Sequence, residues 1–194
     1  MNYLAHIYLS FGKEEVTIGN FIADGIKGNK YGHLPKEVQK GIFLHRSIDT
    51  FTDAHPIVRQ STKRLHPNYS HYSGVIVDIF YDHFLAKNWE RYSVVPLVEF
   101  ADSFYTLVGE HHPILPERIK RMMPFMVQDN WLVGYASLEG ISNVLRGMDR
   151  RTKYKSKMGL AIAELQEHYD AFEAEFSDFF DDLVPFAQQK LFTL

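Results

Sequence analysis

No stretch of this 194-residue chain alternates apolar and polar residues over the length of a strand. Several stretches instead repeat their apolar residues at i, i+3 and i+4, the spacing of one helix face. The clearest is residues 75–89, VIVDIFYDHFLAKNW, which is too apolar for a surface helix and reads as a largely buried one. Its β-branched start would tolerate a strand, but its length and its i, i+4 pairs favour a helix. Residues 160–183 read as a second long helix, with Leu165, Tyr169, Phe172, Phe176, Phe179 and Phe180 facing inward and acidic residues outside. Further helices are expected over 2–10, 14–26, 35–53, 97–109, 118–126, 130–135 and 138–148, with Pro35 opening the third and Pro56 and Pro124 ending or bending theirs. Residues 55–71 read as a short helix followed by a polar loop. The expected fold is all-α: a single-domain helical bundle over residues 1–194, with about eight helices at usual lengths.

Composition narrows the function. Hydrophobic residues make up 45% and charged residues 23%, which excludes disorder and a membrane span alike. A net charge of −3 leaves no footprint for general nucleic-acid binding. With no cysteine, disulfides, thiolate metal sites and a cysteine nucleophile are all excluded. The first residues lack the basic region of a signal peptide, so a cytoplasmic location is expected. No phosphate-binding glycine loop is present.

Chemistry concentrates in the segment 41–53, GIFLHRSIDTFTD. On a helix, His45, Asp49 and Asp53 fall at i, i+4 and i+8 and project from one side, where an imidazole and a carboxylate can share a divalent cation. Arg46 lies elsewhere on the turn and suits a phosphate through its planar fork. Asp24 sits among Phe21, Ile22, Ala23 and Ile26, and a carboxylate in such company is costly unless paired or cation-bound. Asp78 and Asp82, one turn apart on the apolar 75–89 helix, repel unless a proton or cation lies between them. His6 and His83 are embedded in apolar runs. The basic stretch around Arg146, Arg150, Arg151 and Lys153, read as a turn, is either a solvated face or a receiver for an acidic partner. Arg59 to Arg64 is a second basic patch. Elsewhere, as in 97–109, core packing explains the pattern.

Five ordered stretches carry a family resemblance: MNYLAHIYLS, GNFIADGIKGN, HRSIDTFTD, VDIFYDHFL, and NWLVGY followed by NVLRGM. Together they resemble bacterial acyl carrier protein phosphodiesterases over nearly the whole chain. The resemblance implies a divergent HD-type, all-helical phosphohydrolase that uses a divalent cation, most typically Mn²⁺, with Mg²⁺, Fe²⁺ and Zn²⁺ as alternatives. It implies hydrolysis of the phosphodiester between 4′-phosphopantetheine and the serine of holo-acyl carrier protein. No contiguous His-Asp doublet is present: His45 precedes Arg46, and Asp82-His83 is reversed. On this reading Asp24, His45, Asp49, Asp78 and Asp82 hold metal, His6 and His83 support them or supply a proton, and Arg46 meets the phosphate. Arg146, Arg150, Arg151 and Lys153, or the patch from Arg59 to Arg64, then dock the carrier protein. Two other readings fit the same residues: an HD-like phosphohydrolase of nucleotides or small phosphoesters, and a non-catalytic carrier-protein-binding helical protein.

Overall fold

The computed structural model describes residues 1–194, and all of its regular structure is helical. The α-helices are α1 (Tyr3–Tyr8), α2 (Glu14–Ile22), α3 (Lys36–Ala54), α4 (Pro56–Tyr69), α5 (Ser73–Lys87), α6 (Trp89–Tyr92), α7 (Leu97–Glu110), α8 (Glu117–Gln128), α9 (Trp131–Gly134), α10 (Leu138–Arg151), α11 (Ile162–Glu167) and α12 (Tyr169–Thr193). One contiguous core of 49 buried apolar residues runs from α1 to α12, so the chain forms a single all-α domain. No helix is long and apolar enough to cross a membrane.

Helix α5 is the axis of the bundle. Ile76, Val77, Ile79, Phe80, Tyr81, Phe84 and Leu85 are wholly buried around its circumference. Each such side chain contributes about 1.5–3 kcal/mol of transfer free energy, so this segment anchors its neighbours. The α12 ring of Phe172, Phe176, Phe179 and Phe180 closes over it, as its spacing predicts. That segment is not one helix, however: the chain breaks at His168 before continuing to Thr193. Glu175 departs from the expected acidic exterior, being buried against Arg64, Gln60 and Ser61.

Two prolines are weaker breaks than expected. Helix α8 passes through Pro124, and α4 passes through Pro67 to include much of the expected polar loop. A proline removes one backbone hydrogen bond, and the buried Met122, Met123 and Met126 on one side of α8 outweigh that loss. The basic stretch is likewise not a turn at its start, since Arg146 to Arg151 complete α10. Ser137 caps that helix by accepting a bond from the Gly140 amide at 3.0 Å.

Two glycines set the pairing that matters most for function. Gly19 on α2 and Gly41 on α3 face each other where the two helices meet. A Cβ on Gly19 would overlap the Val38 carbonyl, and one on Gly41 would overlap that of Val16. Only glycine permits this approach, and it brings the α2 terminus and the middle of α3 to one rim.

Candidate functional site

At that rim four side chains converge. His45 and Asp49 stand one turn apart on α3, with His45 Nε2 at 3.1 Å from Asp49 Oδ2. His6, from α1, stacks on His45 with ring centroids 3.9 Å apart, and its Nε2 lies 3.2 Å from Asp49 Oδ1. Asp24 follows α2 on a short 3₁₀ turn (Ala23–Gly25) and places Oδ1 at 3.3 Å from His45 Nε2. Both imidazoles are buried, while the Asp24 and Asp49 side chains are 55% and 42% exposed, so the cluster opens to solvent on its carboxylate side.

A buried amide decides the protonation of His6. Asn20 Nδ2 donates to the His6 carbonyl at 2.7 Å, which identifies the other amide atom as oxygen. That oxygen lies 2.8 Å from His6 Nδ1, so the proton is on Nδ1 and the Nε2 lone pair faces Asp49. Nε2 has no properly directed hydrogen-bond partner although a carboxylate oxygen stands 3.2 Å away. Two facing lone pairs repel, and a cation between them removes the conflict. Donor atoms of His6, His45 and Asp49 all lie within 4.8 Å of one another, so the three form a group able to hold a metal ion. Their nitrogen and oxygen donors suit a divalent transition or hard cation, and Asp24 lies beside them at 3.3 Å from His45.

Electrostatics agree. Burial would lower the pKa of His45, but the hydrogen-bonded Asp24 and Asp49 outweigh it and raise it to about 9. Burial and the neighbouring His45 instead lower His6, so it is the neutral partner. The hydrogen bond from His45 holds Asp24 below its ordinary value. Burial opposes ionisation of Asp49, but the hydrogen bond from His45 prevails and depresses it strongly.

The other sequence candidates are engaged elsewhere. Asp82 is fully buried and accepts from the Leu4 and Ala5 amides at 2.7 and 3.3 Å, capping α1 from across the core. Burial pushes its pKa up to about 7, against the pull of the Met1 amine and those two amides. Asp78 pairs with the Met1 amine at 2.8 Å. The expected cation between these two carboxylates is therefore replaced by separate partners. A six-residue helix does not hold itself together in water, so Asp82 positions the residues just before His6.

His83 bonds to the Tyr135 carbonyl and the Tyr169 hydroxyl, away from the cluster. Arg46 turns to the Gly28 carbonyl and lies over the Tyr31 ring rather than the cluster. Asp53 is exposed one turn beyond Asp49, outside the group of donors. Asp24 was expected among apolar neighbours, and its 3₁₀ turn points it outward instead. Two participants were not among the expected site residues, although Asn20 shares a helix face with Asp24 in the sequence. Asn20 had a signal, a polar residue inside the apolar run TIGNFI. Arg118, whose guanidinium lies 3.4 Å from the Asp24 carbonyl, had none.

Comparison with known proteins places the chain. The family profile described as acyl carrier protein phosphodiesterase matches residues 1–183. A protein of that name from Photorhabdus laumondii is 33% identical, covering 99% of this chain and 98% of its own. Namesakes from Yersinia pestis and Salmonella agona are each 31% identical, over 98% of this chain and 99% of theirs. No solved structure matches. With His6, Asp24, His45 and Asp49 all inside the matched region, the chain belongs to the acyl carrier protein phosphodiesterase family.

Proposed function

We propose that this protein hydrolyses the phosphodiester joining 4′-phosphopantetheine to the serine of holo-acyl carrier protein, at a divalent-cation site formed by His6, His45, Asp49 and Asp24. The observation that carries the metal reading is the unpartnered His6 Nε2, held 3.2 Å from an anionic carboxylate oxygen. The mixed imidazole and carboxylate set admits Mn²⁺, Mg²⁺, Fe²⁺ or Zn²⁺, and the family resemblance puts Mn²⁺ first. When bound, a divalent cation there polarises phosphoryl oxygen and increases the acidity of water.

The chain's own residues do the rest. Asn20 holds the His6 lone pair in the productive tautomer. Asp24 and Asp49 keep the mouth of the site anionic, so it selects a cation before a phosphate. Arg118, exposed beside Asp24, meets the charge of the arriving phosphodiester. One water is consumed: its hydroxyl goes to phosphorus, the bond from phosphorus to the serine oxygen breaks, and a proton returns to that oxygen. The products are apo-carrier protein and 4′-phosphopantetheine. Kinship with HD-type phosphohydrolases belongs to the same proposal and rests on the His/Asp donors.

The test is the mass of holo-acyl carrier protein after incubation with this protein, with Mn²⁺ or with a chelator. Loss of the phosphopantetheine mass only with metal is the expected result, abolished in Asp49→Asn. Turnover of nucleotides without turnover of holo-carrier protein would overturn the substrate, and full turnover in chelator would overturn the metal.

A further inference from the structure

Beside the site, α8 and α10 enclose a groove of about 1170 Å³ with Asn2, Tyr3, Trp131 and Tyr135 at one end. Five arginines line it: Arg118 and Arg121 from α8, and Arg146, Arg150 and Arg151 from α10. All five are exposed, and none pairs with a carboxylate; the arginines that do, Arg64 and Arg91, lie elsewhere. The lining holds a single acidic side chain, Asp129. A chain of net charge −3 has thus gathered five uncompensated guanidiniums around one concavity. Such an arrangement is self-repelling unless an anion occupies it.

The cations do not stand alone. On α8, Arg118, Arg121, Met122 and Phe125 form one stripe at i, i+3, i+4 and i+7, and Phe125 is 60% exposed. On α10, Val144 and Met148 sit one turn apart among the arginines, and Gly140 and Gly147 keep the floor low. Apolar centre and cationic flanks on both walls match a helix that carries an apolar stripe between rows of carboxylates. A nucleotide polyphosphate would need its cations focused at one point rather than spread along two helices.

The groove is continuous with the metal-site rim. Arg118 reaches the Asp24 backbone, and Tyr3 stands one turn before His6 on α1. The Tyr3 hydroxyl is raised by burial and by Asp24, and pulled back by Arg118 and Arg151, so it lies in the field of both regions.

We infer that this groove is the docking site for an acidic amphipathic helix of the carrier protein, setting the modified serine at the cluster; the inference rests on the carrier-protein reading above. Of the basic stretch seen in the sequence, Arg146, Arg150 and Arg151 line the groove and Lys153 does not. The α8 wall is the half that no contiguous motif announces.

The test is calorimetric binding of apo-carrier protein, which lacks the scissile phosphodiester, to the wild type and to Arg121→Glu, Arg150→Glu and the control Lys63→Glu, each first checked for native helicity. Either groove reversal should raise Kd by about tenfold or more and flatten its salt dependence, while Lys63→Glu leaves both unchanged. The same reversals should raise KM for holo-carrier protein. Equal binding by wild type and both groove variants, with holo-carrier protein still hydrolysed, would overturn the groove and leave the activity standing. An equal loss in Lys63→Glu would overturn it in favour of the Arg59 to Arg64 patch or of bulk charge. A wild type that neither binds nor hydrolyses carrier protein would overturn the underlying reading of the substrate.

Discussion

Replacing Asn20 by leucine keeps side-chain volume and removes three hydrogen bonds from a position with no solvent access. Those bonds run to His6 Nδ1, the His6 carbonyl and Ser10 Oγ. The carbonyl keeps a second donor in Ser10 Oγ at 2.9 Å, so the group left orphaned is the His6 N–H. A buried unsatisfied donor costs about 1–3 kcal/mol and each of the other two lost bonds about 1 kcal/mol, a total of about 3–5 kcal/mol if His6 stays as it is. His6 has an escape: moving its proton to Nε2 lets it donate to Asp49 and recovers part of that cost. The escape consumes the lone pair that faces the cation. The expected outcome is a stability loss of about 2–3 kcal/mol in urea unfolding, together with a 10–100-fold loss of Mn²⁺ affinity by calorimetry. Nitrogen NMR of the metal-free variant should show His6 changing tautomer. Ser10→Ala, which spares the Asn20–His6 bond, should bind metal nearly as wild type does. An Asn20→Leu protein that loses stability but keeps full metal affinity would refute the role given to Asn20.

Three further outcomes follow from the same geometry. His45 has a folded pKa raised to about 9 from an ordinary 6.5, so the metal-free protein gains stability from its protonation below pH 6.5 and loses that gain as pH rises through 9. Metal must displace that proton, so stabilisation by Mn²⁺ should grow over the same interval; chemical unfolding at pH 6, 7.5 and 9, with and without metal, measures both trends. Asp82→Ala leaves the Leu4 and Ala5 amides unpaired in the core and should cost about 1–3 kcal/mol in urea unfolding, with loss of metal affinity because His6 follows on the same helix. Asp82→Asn retains an acceptor and should lose less of both. Gly41→Ala places a methyl group into the Val16 carbonyl and should destabilise by about 1–3 kcal/mol or more, whereas Gly74→Ala, with open space around it, should be nearly silent in thermal unfolding.

Much of this could be read along the chain. Helical periodicity located α3, α5, α7 and α12 because each buries a continuous face, and local spacing alone put His45 above Asp49. The family stretches pointed to the same reaction. What could not be read was which distant group each buried polar side chain would meet. Asp78 and Asp82 look alike in sequence, two carboxylates one turn apart on an apolar helix. One pairs with an amine and the other caps a helix, and the difference lies in α1, more than seventy residues away. In the sequence His6 reads as a supporting residue or a proton donor, with nothing nearby along the chain to mark it as a ligand. Only the close approach of α2 and α3 through Gly19 and Gly41 turns it into a donor beside Asp49. The arginine groove takes two of its cations from α8 and three from α10, so neither helix alone marks the surface.

Secondary structure and the residue types of the site were thus local properties, set by hydrophobic period and side-chain chemistry. The assembly of His6, Asp24, His45 and Asp49 into one cluster was a tertiary outcome, because their donor atoms are fixed by how α1 packs on α5 and α2, and α2 on α3. Packing at that precision depends on glycine clearances and on buried polar groups finding partners across the core, and neither is encoded in the spacing of residues along one helix.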